Sequence, residues 1–336
     1  MSDPSPSYTI VTTMKNEGPF ILEWIAYHRS IGFTDFTVFT NDCDDGTDDI
    51  IIRLQELGVA SHVANKLKPG QSPQRKALRR SQWHDKTQEA DWLMCADVDE
   101  FLVIRDGAGH LRDLMAKVGD VDAISFCWKL FGHGQVEEFE PGFVTEQFFW
   151  AAPEHSYPNQ RCSGMKTLMR NNEKFVRLKI HRPLIAEDPK NLRWVDAGGQ
   201  PMPPRYLRSK WSAHRGFSHR FARLHHYAVR SIDSFLVKRD RGRTNHINAD
   251  QGIDYWQSMN TNHEYDDAIL ARIPAARTEY NKLIADPVLA ELHRAACDWH
   301  IAKIKELKGR EGWPEFRAEI ARIDPGADWR DENQDG

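Results

Sequence analysis

With 336 residues, 40% of them hydrophobic and 28% charged, the chain has the length for a full core and the balance of a globular protein. A net charge of −4 argues against wholesale nucleic-acid binding, and no apolar run approaches the ~20 residues that a bilayer span needs. Met1 to Ser7 has neither the basic end nor the apolar core of a signal peptide, so a cytoplasmic chain without a transmembrane segment is expected. The cysteines Cys43, Cys95, Cys127, Cys162 and Cys297 are scattered without disulfide or zinc spacing and read as reduced thiols.

Tyr8 to Met14 is β-branched and apolar and stops at Lys15-Asn16-Glu17-Gly18, which predicts a first strand ending in a polar loop. Pro19 opens a helix in which Phe20, Trp24, Ile25, His28 and Ile31 recur at helical spacing, and Gly32 is placed to end it. Phe36 to Thr40 reads as the second strand, followed by a turn holding Asp42, Asp44, Asp45, Asp48 and Asp49. Thr47 or Asp48 is the expected cap of a helix through Ile50, Ile51, Leu54 and Leu57, since acids favour a helix N-terminus. Asp42, Asp44 and Asp45 stand instead at the strand end, where a base or ribose can be hydrogen-bonded. Val59 to Val63 is the third strand. Ser72-Pro73 then opens a helix carrying Arg75, Lys76, Arg79 and Arg80, a basic face suited to solvent or to phosphate contact.

Trp92 to Leu102 organises the rest of the chain: an apolar run ends in Asp97, Asp99 and Glu100 and then turns apolar again. Such a run predicts an interior strand of an α/β sheet, and ligands of these sheets bind outside the carboxyl ends of the strands. Alternation along a strand would put Asp97 and Asp99 on one side, close enough to share a hard cation, Mg²⁺ or Mn²⁺, that in turn holds a diphosphate. An isolated Asp-x-Asp is more often a pair of solvated loop acids, so the surrounding chain must supply the case. Ala123 to Trp128 reads as a further strand, Phe143 to Trp150 as an extended aromatic segment containing Glu146, and Met165 to Arg170 with Phe175 to Ile180 as a hairpin. Asp188 to Pro204 reads as a long loop.

From Arg205 to Arg243 there are eleven Lys and Arg against two Asp, with His214, His219, His225 and His226 interleaved. Histidines without cysteines at familiar spacing do not make a structural zinc site. The asymmetry calls for an anionic partner, so this segment is expected to fold over a metal-bound diphosphate, bringing Lys238 and Arg241 near the phosphates. The same charge would also suit peripheral contact with an anionic membrane. Helical patterns resume at about Glu264, with Asp286-Pro287 capping a segment whose Leu289, Leu292, Ala296 and Trp299 share a face.

Together, Met14-Lys15-Asn16-Glu17, Asn41-Asp42 with its Asp-rich turn, and Asp97-Val98-Asp99-Glu100-Phe101 resemble the family 2-type glycosyltransferases of GT-A fold, in particular a soluble bacterial subgroup. Trp128-Lys129-Leu130-Phe131-Gly132, His181-Arg182-Pro183, and His225-His226-Tyr227 through Lys238, Arg241 and Gly242 extend the resemblance over about 8–243. It implies an α/β GT-A domain over 1–245, a Rossmann-like mixed sheet flanked by helices, with the nucleotide-binding half to about 105 and the acceptor half over 106–245. An α-helical extension over 246–336 would follow.

The resemblance further implies a UDP- or GDP-sugar donor whose diphosphate rides on Mn²⁺ or Mg²⁺ held by Asp97 and Asp99, with His226 completing the shell. Thr13, Asn16, Glu17, Asn41 and Asp42 match the nucleoside side of that site, and Arg75, Lys76, Arg79, Lys238 and Arg241 are the basic groups expected near it. Transfer to a glycan or lipid-linked hydroxyl with inversion, in polysaccharide biosynthesis, is what the family does. Lys190-Asn191-Leu192-Arg193-Trp194 lacks the glutamine of the processive synthases' Gln-x-x-Arg-Trp, which points to single addition.

The chemistry suits the residues: a cation with Arg and Lys stabilises the nucleoside diphosphate that leaves, and an acid deprotonates the acceptor hydroxyl. Glu146, among Phe143, Phe148, Phe149 and Trp150, is the first candidate base, with Glu137 and Glu138 next. A nucleotidyltransferase of sugar phosphates would carry a Gly-rich loop after the first strand, where Thr12 to Gly18 has one glycine. A non-catalytic glycan- or nucleotide-binding protein would be marked by loss of a motif acid, and both are present.

Overall fold

The computed structural model describes residues 5–154, 160–187, 191–207, 209–213, 216–242 and 252–323. The chain opens with β1 (Tyr8–Met14), α1 (Ile21–Ile31), β2 (Asp35–Thr40), α2 (Thr47–Glu56) and β3 (Ser61–Ala64). Next come α3 (Pro73–Ser81), α4 (Asp85–Gln88), β4 (Trp92–Cys95), β5 (Glu100–Ile104), α5 (Leu111–Val118) and β6 (Ala123–Leu130). Shorter strands follow: β7 (Trp150–Ala151), β8 (Met165–Arg170), β9 (Phe175–Arg177), β10 (Leu184–Ile185), β11 (Trp194–Asp196) and β12 (Ala222–His226). The remaining elements of the described residues are β13 (Glu264–Tyr265) and the helices α6 (Ile232–Arg241), α7 (Ile253–Met259), α8 (Ile273–Ile284), α9 (Pro287–Lys308) and α10 (Trp313–Ile323).

The main sheet runs β3-β2-β1-β4-β8-β6-β12-β5, with β11 added beside β6. β1 to β4 form a parallel half, β8 enters antiparallel between β4 and β6, and β5 closes the far edge antiparallel to β12. This is the α/β class with a mixed sheet flanked by helices that the sequence predicts. All seven residues of β1 are buried, as a strand covered on both faces must be. Gly32 ends α1 at φ 113°, its N–H bonded to the Arg29 carbonyl, and Ser72 and Asp286 cap α3 and α9 as expected. Among the described residues no helix is long and apolar enough to cross a membrane.

Five local expectations are corrected. The stretch Trp92 to Leu102 is two strands at different places in the sheet. β4 pairs with β1 and β8, the chain leaves at Ala96, and β5 pairs with β12 at the edge. A turn does this: the Glu100 N–H donates to the Asp97 carbonyl at 3.0 Å, and the Asp97 N–H to the Glu100 carboxylate at 2.9 Å. Met165 to Arg170 does not pair with Phe175 to Ile180, because β8 is taken up between β4 and β6 while β9 pairs with β10. Phe143 to Trp150 is largely not extended: the buried Glu23 carboxylate of α1 accepts the Val144 and Thr145 N–H groups at 2.7 and 3.0 Å, and the chain winds into a short 3-10 turn there. Thr47 and Asp48 do not cap α2, whose N-cap is Gly46 at φ 84° without a side-chain bond.

The fifth concerns the basic segment, which is not a covering flap. β12 is an inner strand between β6 and β5, buried at every position, and α6 packs against α9; His214 lies outside the described residues.

One core cluster joins the sheet and α1 to Ile273, Ala276 and Leu283 of α8 and to Leu289 and Ala296 of α9. A second gathers Phe235 of α6, Trp256 of α7, Ile304 of α9 and Ile320 of α10. The C-terminal helices thus complete the core rather than sit beside it.

Candidate functional site

A cavity of about 560 Å³ opens at the carboxyl ends of β1 and β4. Its floor is the Asp97-Val98-Asp99 turn. Thr13, Lys15 and Glu17 come from the end of β1, Gln74 and Arg75 from α3, Trp128 from β6, His226 from the end of β12, and Lys238 and Arg241 from α6. Arg161, His181, Trp211 and Tyr255 close the far side. A parallel sheet whose strands end together, with helices stepping away behind them, leaves such a hollow for topological reasons.

Asp99 is buried, 6% exposed. Lys238 donates to one of its oxygens at 2.6 Å and also to the Ala228 carbonyl at 2.6 Å, while His226 Nε2 lies 3.4 Å from the other. Burial alone would raise the carboxyl, but the Lys238 ammonium and His226 outweigh it and hold Asp99 well below the usual carboxylate range. Asp97 is turned another way. It accepts from Gln74 at 2.6 Å and from Lys166 of β8 at 2.9 Å, and Lys166 also lies 3.2 Å from the wholly buried Glu100. Burial works against that ammonium, but Asp97 and Glu100 keep Lys166 protonated well above its ordinary range.

The two acids therefore share the turn without sharing a strand face, so the alternation argument fails. Each is neutralised by its own lysine. Asp97, Asp99 and His226 do not form a preassembled three-ligand cage, and no group of three His, Cys, Asp or Glu suited to a metal ion occurs among the described residues. Asp99 with His226 is the pair whose donor atoms lie together, Nε2 3.4 Å from a carboxylate oxygen, and the rest of a hard-cation shell is ordinarily filled by phosphate oxygens and water.

At the end of β1, Glu17 is paired with Arg230 at 3.3 Å and with Arg241, so its carboxylate positions these cations. Arg241 also donates to the Lys15 and Asn16 carbonyls, fastening α6 to the end of β1. Asn16 sits at φ 51° and accepts the Asp44 N–H at 2.8 Å. Asp45 is buried and accepts the Gly18 N–H at 2.7 Å, and Thr47 accepts the Glu17 N–H at 2.9 Å. Much of the Asp-rich turn is thus a brace for the β1 loop. Thr13 Oγ1 and Asn41 Oδ1 are buried polar atoms without partners, and Thr13 faces the cavity. Asp42 is exposed at φ 49° beyond the cavity wall.

Several expected residues are not gathered here. Lys76 is tied to the Lys66 carbonyl, and Arg79 lines a neighbouring cleft. Glu146 is ion-paired with Arg277 of α8 and Glu137 with Arg317 of α10, and neither lines the cavity. Sequence reasoning missed Lys166 and Gln74, and it gave Trp128 a place in a motif but no role in the site. Trp128 donates its ring N–H to Glu100 at 2.7 Å, and a Cβ on Gly164 would fall 2.1 Å from its ring. A lysine inside Met165-Lys166-Thr167-Leu168-Met169 was the available signal, since a charge amid strand apolars requires a partner. His181 donates Nδ1 to the Met165 carbonyl at 3.0 Å, and burial with the nearby Lys166 pushes it down to about 4, so it is neutral at pH 7.

The description "glycosyltransferase family 92" fits residues 11–198 of the chain, more than half its length and including the whole Asp97–Asp99 floor. This chain belongs to glycosyltransferase family 92. The motif resemblance pointed to the family 2 type, and a glycosyltransferase is the ground common to both. A family 92 protein of Ricinus communis is 29% identical over 118 residues, 32% of this chain and 20% of that protein. A family 92 protein of Arabidopsis thaliana is 30% identical over 94 residues, 27% of this chain and 16% of that one. The family 92 chain thus matches a fifth or less of the length of these relatives. Among solved structures, S. aureus TarS 1–349 in complex with UDP is similar at a TM-score of 0.32 and 13% identity, covering 49% of this chain and 47% of that one. Glucosyl-3-phosphoglycerate synthase from Mycobacterium tuberculosis, in complex with Mn²⁺ and UDP, is similar at a TM-score of 0.25 and 19% identity, covering 37% and 44%.

Proposed function

We propose that this family 92 chain transfers a sugar from a nucleoside-diphosphate donor, held in the 560 Å³ cavity, to a hydroxyl of a glycan or lipid-linked acceptor, one sugar at a time. The observation that carries the reading is Asp99, a buried carboxylate kept ionised by Lys238 and His226 at the floor of an open cleft walled by Arg75, Arg161 and Arg241. A buried charge at a strand-end cavity is poised for a ligand that rearranges its partners.

Asp99 and His226 are the residues that would hold a Mn²⁺ or Mg²⁺, and the ion would supply Lewis-acid neutralisation of the leaving diphosphate. The protein's own cations act alongside. Lys238 and Arg241, fixed through Asp99 and Glu17, present preorganised charge to the phosphates, where it stabilises the leaving group most as the glycosidic bond breaks. Lys166 and Gln74 fix Asp97 within reach of the donor's ribose or sugar hydroxyls. Thr13 offers an unpaired hydroxyl at the end of β1 for the nucleoside. Inversion at the anomeric carbon is the stereochemical outcome to be read from the product's coupling constants.

The test is nucleoside-diphosphate release from a panel of UDP- and GDP-sugars with Mn²⁺ and mixed glycan acceptors. One donor should turn over, and Asp99→Asn should slow it by about a hundredfold or more, several kcal/mol of lost transition-state stabilisation. No turnover with any donor, or an unslowed Asp99→Asn, overturns the reading.

A further inference from the structure

Beside the donor cavity lies a second cleft of about 580 Å³. The two share Arg75, Ile180, His181 and Trp211 as lining, so they are neighbours through one wall. The second is rimmed by Arg75 and Arg79 of α3, Arg177 of β9, Lys179 and Arg182 just after it, and Lys210 on the facing loop, with no acid among the described residues of its lining. Among the described residues, Arg75, Arg79, Arg177, Lys179 and Lys210 have no ion-pair partner. Lys179 is held below its ordinary range by partial burial and by Arg182, Arg177 and Arg75 around it. In a chain of net charge −4, the five cations Arg75, Arg79, Arg177, Lys179 and Lys210, converging with Arg182 beside them, make a concentrated positive field, and an anion relieves its self-repulsion.

We propose that this cleft binds the acceptor and selects an acidic glycan, whose sugars next to the receiving hydroxyl carry carboxylate, sulfate or phosphate groups. The inference rests on the reading of the first cavity as the donor site. Trp211, 37% exposed, lines both cavities with its ring beside His181 at 5.7 Å between centroids. It offers a sugar ring an apolar face at the junction, while the arginines and lysines take the charged substituents. The neutral His181, with Nδ1 donated to the Met165 carbonyl, leaves Nε2 as an acceptor for a sugar hydroxyl at that junction. A volume of this size belongs to small-ligand sites, and single-stranded nucleic acid would call for a longer groove with several stacking aromatics, where the described lining of this cleft has Trp211 and His181.

The test is calorimetry on the full chain with a pentameric oligogalacturonate, with neutral maltopentaose, with inorganic phosphate and, separately, with UDP plus Mn²⁺. The wild type should bind the oligogalacturonate at least about tenfold more tightly than maltopentaose, and Arg177→Ala/Lys179→Ala/Lys210→Ala should lose about tenfold of that affinity while keeping its affinity for UDP. Lys210→Glu alone, at an exposed side chain, should lose the same preference in part and serves if the triple variant does not fold. Equal binding of the acidic and neutral oligosaccharides, an unaffected triple variant, or displacement of the pentamer by phosphate at equal concentration would overturn the proposal. So would a matching loss of UDP affinity, which would make the cleft part of the donor site. Because this binding needs no turnover, intact charge-selective binding beside an inactive donor panel would support the cleft and count against the transfer reading alone.

Discussion

The contacts through which Asp99 is proposed to act also bear on stability, and the two can be separated. Its carboxylate neutralises Lys238 in a buried place, so Asp99→Asn strands an ammonium and should cost on the order of 3–5 kcal/mol in urea unfolding. The double variant Asp99→Asn/Lys238→Met removes both charges and should recover most of that stability while remaining inactive. A double variant as unstable as the single would show that charge burial is not the cause. Because the folded Asp99 is held below its ordinary range, its stabilisation is complete above the usual carboxylate pKa of about 4 and is lost as pH falls below it. At this scale the acids were legible, since an apolar run ending in Asp97 and Asp99 marks a strand end from local sequence alone. Their partners were not: Lys166 meets Asp97 across 69 positions and Lys238 meets Asp99 across 139, and no local pattern encodes such pairs.

Elements transmit order to the site through a few close contacts. A Cβ at Gly164 would press on the Trp128 ring, whose N–H holds Glu100 behind the Asp97–Asp99 turn. Gly164→Ala should therefore lower turnover more than it lowers the melting temperature, and wild-type kinetics would free Trp128 of that role. Glu23 gives α1 a pH-dependent grip on the loop that begins at Val144. Burial pushes its carboxyl up to about 7 from 4.5, against the hydrogen bonds from Thr145 and Val144. Between those values the folded state binds more protons than the unfolded one, so this group makes stability fall as pH rises from about 4.5 to about 7, after which its effect levels off. Glu23→Gln should flatten that slope in melts across the range, and an unchanged slope would assign it to other groups. Strand and helix periodicities from β1 to α3 were read correctly because each element follows its neighbour in a parallel βα succession. The hairpin and flap errors share a cause: β8 and β12 pair with strands distant in sequence, and hydrophobic pattern states that a segment is buried without stating beside what.

Over the whole molecule, the C-terminal helices belong to the same fold as the sheet. α8 lies on α1 with Arg29 ion-paired to Glu279, and Arg53 of α2 grips the Asp286 cap of α9 at 2.7 and 3.0 Å. Truncation after Asn262 should thus expose the core around Ile273, Leu283 and Leu289 and give aggregated protein or a much lower melting temperature. A soluble truncation that melts like the full chain would make the helices an appendage. The central claim is that the strand-end cavity is built for a diphosphate, and calorimetric titration of UDP against UMP, each with Mn²⁺, addresses it most directly. UDP should bind the wild type at least about tenfold more tightly than UMP, and Asp99→Asn/Lys238→Met should erase the difference. Equal affinities for the two nucleotides in the wild type would contradict the account.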